Sequence, residues 1–320
     1  MMESLSKIIL GIVVILGAFA CSNDREKDNT TTSQQPTLVE VSAIYDAEND
    51  RHLFQTQTDT IPAGWTTFRF TNKSPMVHFL FFDYLPGDRT SEDLLKEVSP
   101  VFQESSYLIM EGKEDEAMAV FSKLPDWFSE IVFRGGAGFV SPGKTTETTL
   151  FMKSGNYAME CYIKSADGTF HWKKGMMRDL YVTVDTTEAI PPQSATIEIT
   201  TTDEGLDIQG EATPGKHLIK VNFNEENPAM VGRDVHVAEL SDTDSLERIA
   251  TWMDFNKAEG LISTTENVAP TTFIGGTHEM PKGNTAYFTL DLVPGRYAWI
   301  SEQPVNKTTI YEFSVASQSE

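Results

Sequence analysis

The strongest constraint on this chain is that one stretch of it occurs twice. In GGAGFVSPGKTTETTLFMKSGNYAMEC (135–161) and GGTHEMPKGNTAYFTLDLVPGRYAWIS (275–301), the residues Gly135, Gly136, Gly143, Leu150, Gly155 and Tyr157 recur 140 positions later as Gly275, Gly276, Gly283, Leu290, Gly295 and Tyr297. Glycine paired with glycine at one fixed offset marks two copies of a single framework. Upstream the correspondence continues with a changed offset. PAGWTTFRFTNKSPMVHFLFFDYL (62–85) matches TPGKHLIKVNFNEENPAMVGRDVHVAEL (213–240), an alignment that sets His78 against His236.

Within each copy the apolar residues alternate. Phe68 and Phe70, then Val77, Phe79 and Phe81, Leu150 and Met152, Tyr157 and Met159, and Leu180, Val182 and Val184 follow a period of two, which belongs to half-buried strands. Pro86-Gly87, Pro142-Gly143, Ser154-Gly155 and Pro294-Gly295 supply the turns. The pattern predicts an all-β chain of two tandem Greek-key β-sandwiches with short helical insertions: domain 1 over 38–186, a linker stiffened by Pro191-Pro192 over 187–194, and domain 2 over 195–320. The first copy carries the longer insertion, with helices expected from Ser91, as N-cap, through Val98 and from about Glu114 to Leu124, before Pro125. The second has one short helix, DSLERIATWMDF, capped by Asp244.

The chain begins MMESLSK, followed by the apolar run IILGIVVILGAFA, too short for a comfortable membrane span. Cys21 follows Ala18-Phe19-Ala20, which resembles the lipobox of bacterial lipoproteins. The resemblance implies a signal peptide over 1–20, a lipid on Cys21 and a place in the cell envelope, at the outer membrane. SNDREKDNTTTSQQP then has too little apolar surface to order itself, so 21–37 reads as a tether. A formal net charge of −22 argues against nucleic acid and anionic membrane surfaces as partners. With Cys21 lipidated, Cys161 is the one remaining cysteine, in a compartment where thiols normally pair. It is buried, liganded or reactive.

A strand bearing histidine, a Gly-rich corner, a hairpin strand ending in cysteine and a loop CYIKSADGTFHWKKGMM (161–177) before a last strand resemble the cupredoxin family. The resemblance covers 37–185 well and 193–317 as a degenerate copy. It implies a copper site in which His78 and His171 supply imidazoles, Cys161 the thiolate and Met176 a weak axial thioether. Two imidazoles and a thiolate in a plane, with a distant thioether, suit both copper oxidation states. The implied role is electron transfer or copper handling with a protein partner, and not catalysis. The loop from Cys161 to His171 is longer than in small carriers, and Met177 competes with Met176. The same residues also fit a hairpin at Ala166-Asp167-Gly168-Thr169, with Cys161 an inert core residue and His171 facing water.

In the second copy Ser301 stands in place of Cys161, no histidine or methionine follows in the loop, and the alignment leaves His236 alone. Domain 2 is therefore expected to be metal-free. His278-Glu279-Met280 lacks the second histidine of a zinc-protease helix. The alternative function is a metal-free tandem sandwich that binds a protein or glycan, with Phe102, Tyr107, Trp127 and Phe128 of the insertion forming an apolar patch or covering the open end of the first sandwich.

Overall fold

In the first half the strands are β1 (Thr37–Asp46), β2 (Arg51–Thr56), β3 (Thr60–Asn72), β4 (His78–Tyr84), β5 (Val132–Val140), β6 (Thr145–Met152), β7 (Gly155–Glu160) and β8 (Met177–Thr186). The second half repeats the plan with β9 (Ile197–Thr201), β10 (Leu206–Gly210), β11 (Gly215–Phe223), β12 (Val235–Leu240), β13 (Thr272–Thr277), β14 (Thr285–Leu292), β15 (Gly295–Ser301) and β16 (Thr309–Val315). This computed structural model describes residues 35–226, 232–302 and 309–317. Cys21, its expected lipid and nearly all of the tether lie outside them. No helix among the described residues is long and apolar enough to cross a membrane.

The expected all-β architecture of two tandem sandwiches is present, and the strand order shows how they join. One layer runs β2-β1-β3-β6-β14-β11-β9-β10, and the other runs β8-β7-β4-β5-β13-β12-β15-β16. Each half thus contributes four strands to each of two continuous layers. The halves meet where equivalent strands pair antiparallel, Thr148 with Phe288 and Ala137 with Thr277. Both pairs are separated by the repeat offset itself, so the copies are related by a pseudo-two-fold axis through those positions, as in an isologous dimer built within one chain. The repeated glycines crowd this seam. A Cβ on Gly275 would lie 2.3 Å from Thr146 Oγ1, and one on Gly136 would lie 1.8 Å from the Leu80 carbonyl oxygen.

Alternation reports burial well in β3, where Phe68 and Phe70 are fully buried, and in β8 up to Val182, whereas Val184 is exposed. Central strand β4 is buried on both faces from His78 to Asp83, as expected of a strand hydrogen-bonded on both edges and covered above and below.

The insertion departs from expectation. Its first helix is capped by Thr90, whose backbone N–H donates to Asp93 Oδ2 at 2.9 Å, while the Ser91 N–H is taken by Asp179 Oδ1. After α1 (Ser91–Asp93) the chain makes one wide π turn at Leu94–Val98 and then continues as α2 (Ser99–Met110), which the sequence reading missed. Pro100 in the first turn of α2 has no N–H to donate, so the hydrogen-bond ladder changes step there. Then α3 (Glu114–Val120) and two 3₁₀ turns lead to β5. Phe102, Trp127 and Phe128 pack on a small core of Leu85, Leu94, Val98 and Ala158, so these aromatics cover the sandwich instead of forming a free patch. In the second half, α4 (Leu246–Met253) is capped by Ser245, not Asp244, whose carboxylate accepts from Ser241 and Thr271.

Candidate metal centre

Cys161 leaves β7 and opens a compact loop that returns on itself. His171 N–H donates to Ile163 O at 2.8 Å, Trp172 N–H to Cys161 O at 3.2 Å, Met176 N–H to His171 O at 3.0 Å and Cys161 N–H to Met176 O at 3.2 Å. Gly175 has φ +111°, and a Cβ there would meet the His52 carbonyl oxygen at 3.1 Å, so glycine lets the turn before Met176 lie against β2. The insertion holds the loop from one side. Gln103 of α2 donates to Gly168 O at 2.9 Å and accepts from Phe170 N–H at 3.1 Å, and Ser106 donates to the same Gly168 oxygen. From the other side the second half supplies Leu261 O to the Lys164 N–H and takes Lys164 O on Ser263 N–H.

His78 begins β4, and a polar corner sets its ring. Asn72 Nδ2 donates to Met76 O and Val140 O, its Oδ1 accepts from Ser74 N–H, and Ser74 Oγ lies 2.9 Å from His78 Nε2. With Nε2 engaged, Nδ1 points inward. There Cys161 Sγ is 3.6 Å from His78 Nδ1, and His171 Nδ1 is 3.2 Å from the same atom. All three side chains are fully buried, as is Met176, which lies in the same apolar core as Cys161. Met177 instead packs on the insertion's small core. The expected possibility that His171 faces water is overturned, because the insertion and the β1–β2 hairpin enclose it.

Burial dominates the protonation of this group. It holds the His78 and His171 imidazoles well below their usual range, helped by the neighbouring imidazoles, and pushes the Cys161 thiol up to about 12. Burial therefore favours neutral imidazoles, whose Nδ1 atoms converge beside a buried sulfur. His171 Nε2 is buried without a hydrogen-bond partner. Two nitrogens and a sulfur converging in a dry core, with a buried thioether on the same loop, make a donor set that fits copper.

Sequence reasoning missed His52. It comes from β2, its N–H donates to Lys174 O, and its ring stacks on His171 at a centroid distance of 3.7 Å and an interplanar angle of 13°. Donor atoms of His52, His78 and His171 lie within 4.8 Å of one another. A cavity of about 230 Å³ opens beside it, bordered by Tyr45, Asp50, Asp167 and Lys174. No local motif marks this histidine; only the fold brings β2 over the loop.

The pairing of His236 with His78 is also corrected. In β12, His236 lies opposite Gly276 and Ile300, the counterparts of Gly136 and Glu160, and in the first half the residue opposite those two is Phe81. His236 is therefore the counterpart of Phe81, not a ligand retained from the other copy. Nor does it stand alone, because Asp234, His236 and His278 bring donor atoms within 4.8 Å of one another.

No protein-family model matches the sequence, and no curated protein matches it significantly. Among solved structures, auracyanin A, a blue copper protein from Chloroflexus aurantiacus, matches at 18% identity over 46% of this chain and 99% of its own, with a TM-score of 0.29. The dithionite-reduced auracyanin of Roseiflexus castenholzii matches at 18% identity over 47% of this chain and 98% of its own, with a TM-score of 0.26. A copper-containing nitrite reductase from Thermus scotoductus matches at 11% identity over 89% of this chain and 63% of its own, with a TM-score of 0.23. In its own strand order and ligand loop, the chain has a cupredoxin-like fold repeated in tandem.

Proposed function

We propose that the first half binds one copper ion through His78, Cys161, His171 and Met176. In this reading the chain carries single electrons, or holds and passes on copper, for a protein partner at the cell envelope, where lipid on Cys21 tethers it. The observation that carries the reading is the convergence of Cys161 Sγ and His171 Nδ1 on His78 Nδ1, at 3.6 and 3.2 Å, in a fully buried pocket. Bound there, copper would supply a one-electron couple whose two states both accept this donor set.

The chain's own part is to keep those donors still. The Gln103 and Ser106 bonds, the Asn72–Ser74–His78 relay and the second-half contacts at Lys164 tie the loop on several sides. A loop so tied has little freedom to rearrange as charge changes. The Cys161 proton must leave when the thiolate binds, so binding weakens as pH falls. His52 stacks on the face of the His171 ring and borders the cavity, so a partner would approach on the His52 side. Copper(II) added to the metal-free soluble protein should give one bound equivalent and an intense visible charge-transfer band. Cys161→Ser should abolish the band. A wild-type protein that stays colourless and copper-free would overturn the proposal.

A further inference from the structure

The second half holds a different cluster against the seam between the halves, and its His278 ring comes within 6.3 Å, centroid to centroid, of Tyr162 in the Cys161 loop. Asp234 immediately precedes β12, His236 is the second residue of that strand, and His278 immediately follows β13. All three are fully buried, and Glu279 and Glu302 lie alongside. First-half aromatic rings roof the cluster: His278 packs on Phe79 and Phe81 at centroid distances of 4.6 and 5.0 Å, and His236 on Phe139 at 4.4 Å.

The polar bookkeeping around His278 does not close. Both of its ring nitrogens are buried without a hydrogen-bond partner, an expensive state for an imidazole in an apolar roof. Glu279 Oε2 is 3.8 Å from Nδ1, beyond hydrogen-bond reach. Asp234, by contrast, is fixed as a metal-binding carboxylate usually is: Oδ1 accepts from Glu302 N–H at 2.8 Å and Ser301 Oγ at 3.3 Å, and Oδ2 lies 3.0 Å from His236 Nε2.

We propose that Asp234, His236 and His278 form a second metal site for a divalent first-row cation such as zinc, distinct from the copper site. Two imidazoles and a carboxylate with no sulfur favour such a cation over copper(I). Ligands at ~2.05 Å in a tetrahedral site stand about 3.4 Å apart. The donors here, within 4.8 Å, need only side-chain rotation to close. His236 binds through Nε2, its proton moves to Nδ1, and the long 3.4 Å contact from Phe139 N–H is given up. Glu279 or Glu302 completes the coordination. The ion would pin the second half's face beneath the first half's aromatic roof.

The test is zinc bound to the chelator-stripped full chain, measured by elemental analysis after desalting. His278→Phe is the informative variant, because a phenyl ring suits the Phe79–Phe81 surroundings if the imidazole is only packing. Expected is one zinc equivalent fewer than wild type, and loss of the zinc-dependent part of the thermal stabilisation, with metal-free melting unchanged or raised. Asp234→Asn should lose the same equivalent, and it carries the test if His278→Phe does not fold. The copper band of the Cys161 site should persist in both, so failure of either site is read separately. Zinc retention by both variants at the wild-type level, or no high-affinity zinc in the wild type, would overturn the proposal.

Discussion

His52 offers a quantitative check on how the loop from Cys161 to Met176 is enclosed. Burial, reinforced by the Lys174 ammonium and only partly opposed by Asp50, lowers its imidazole from 6.5 to about 4. The sign follows from proton counting: between those values the unfolded chain binds a proton that the folded chain refuses. His52 therefore supports full stability above pH 6.5 and loses that support as pH falls towards 4. A gap of about 2.5 pH units caps the effect at about 3 kcal/mol, of which about 2 kcal/mol is lost between pH 7 and pH 5.

The wild-type pH profile alone would conceal this loss. Asp83, buried in β4, is raised to about 7 by burial, so it gains a proton in the folded state over the same interval and stabilises as pH falls. The measurable quantity is a double difference. Urea unfolding of metal-free wild type and His52→Phe at pH 7 and pH 5 cancels the carboxylate contribution. Phenylalanine keeps the ring stacked on His171 and removes a side chain whose Nδ1 has no hydrogen-bond partner. Relative to wild type, the variant should gain about 2 kcal/mol on going from pH 7 to pH 5. Parallel pH profiles for the two proteins would refute the idea that the hairpin excludes water from the His52–His171 stack.

Two further substitutions probe the supports of the site. Gln103→Leu leaves the buried Phe170 N–H without its acceptor and removes one donor from Gly168 O, so urea unfolding should show a loss of about 1–3 kcal/mol, with faster copper release under a chelator challenge. Gly136→Ala sets a Cβ against the Leu80 carbonyl at a φ of +146°, next to the inter-half pairing, so the chain should lose more than about 3 kcal/mol or fail to accumulate as soluble protein.

Much of the ligand loop was legible because its donors are close in sequence. Cys161, His171 and Met176 occupy one loop, and a thiol followed by two such donors invites a chemical explanation. What the sequence hid was carried by long-range geometry. His52 has no motif around it and reaches the loop only because β2 folds back over Gly175. Helix α2 escaped notice because it buries Ser99, Gln103, Ser105 and Ser106 along with its apolar residues, so no clean apolar stripe at helical spacing announces it. Gln103 and Ser106 are inside because the helix packs on a loop backbone that needs hydrogen-bond partners, not on an apolar sheet face.

The misplacement of His236 has a more general cause. Matching the copies histidine to histidine, His78 to His236, ignores the sheet, where a residue's identity is set by what lies opposite it. Opposite His236 is Gly276, whose counterpart in the first copy, Gly136, faces Phe81. Glycine recurs at 136 and 276 because in each copy the neighbouring strand's backbone, at Leu80 and at Val235, comes too close for a Cβ. The repeat did not need to keep the ligands, which lie away from the axis at the loop end of one sandwich. Selection could therefore act on each copy's donors independently while the shared seam stayed fixed. A carboxylate and imidazole cluster could then arise at a register where the other copy has a phenylalanine.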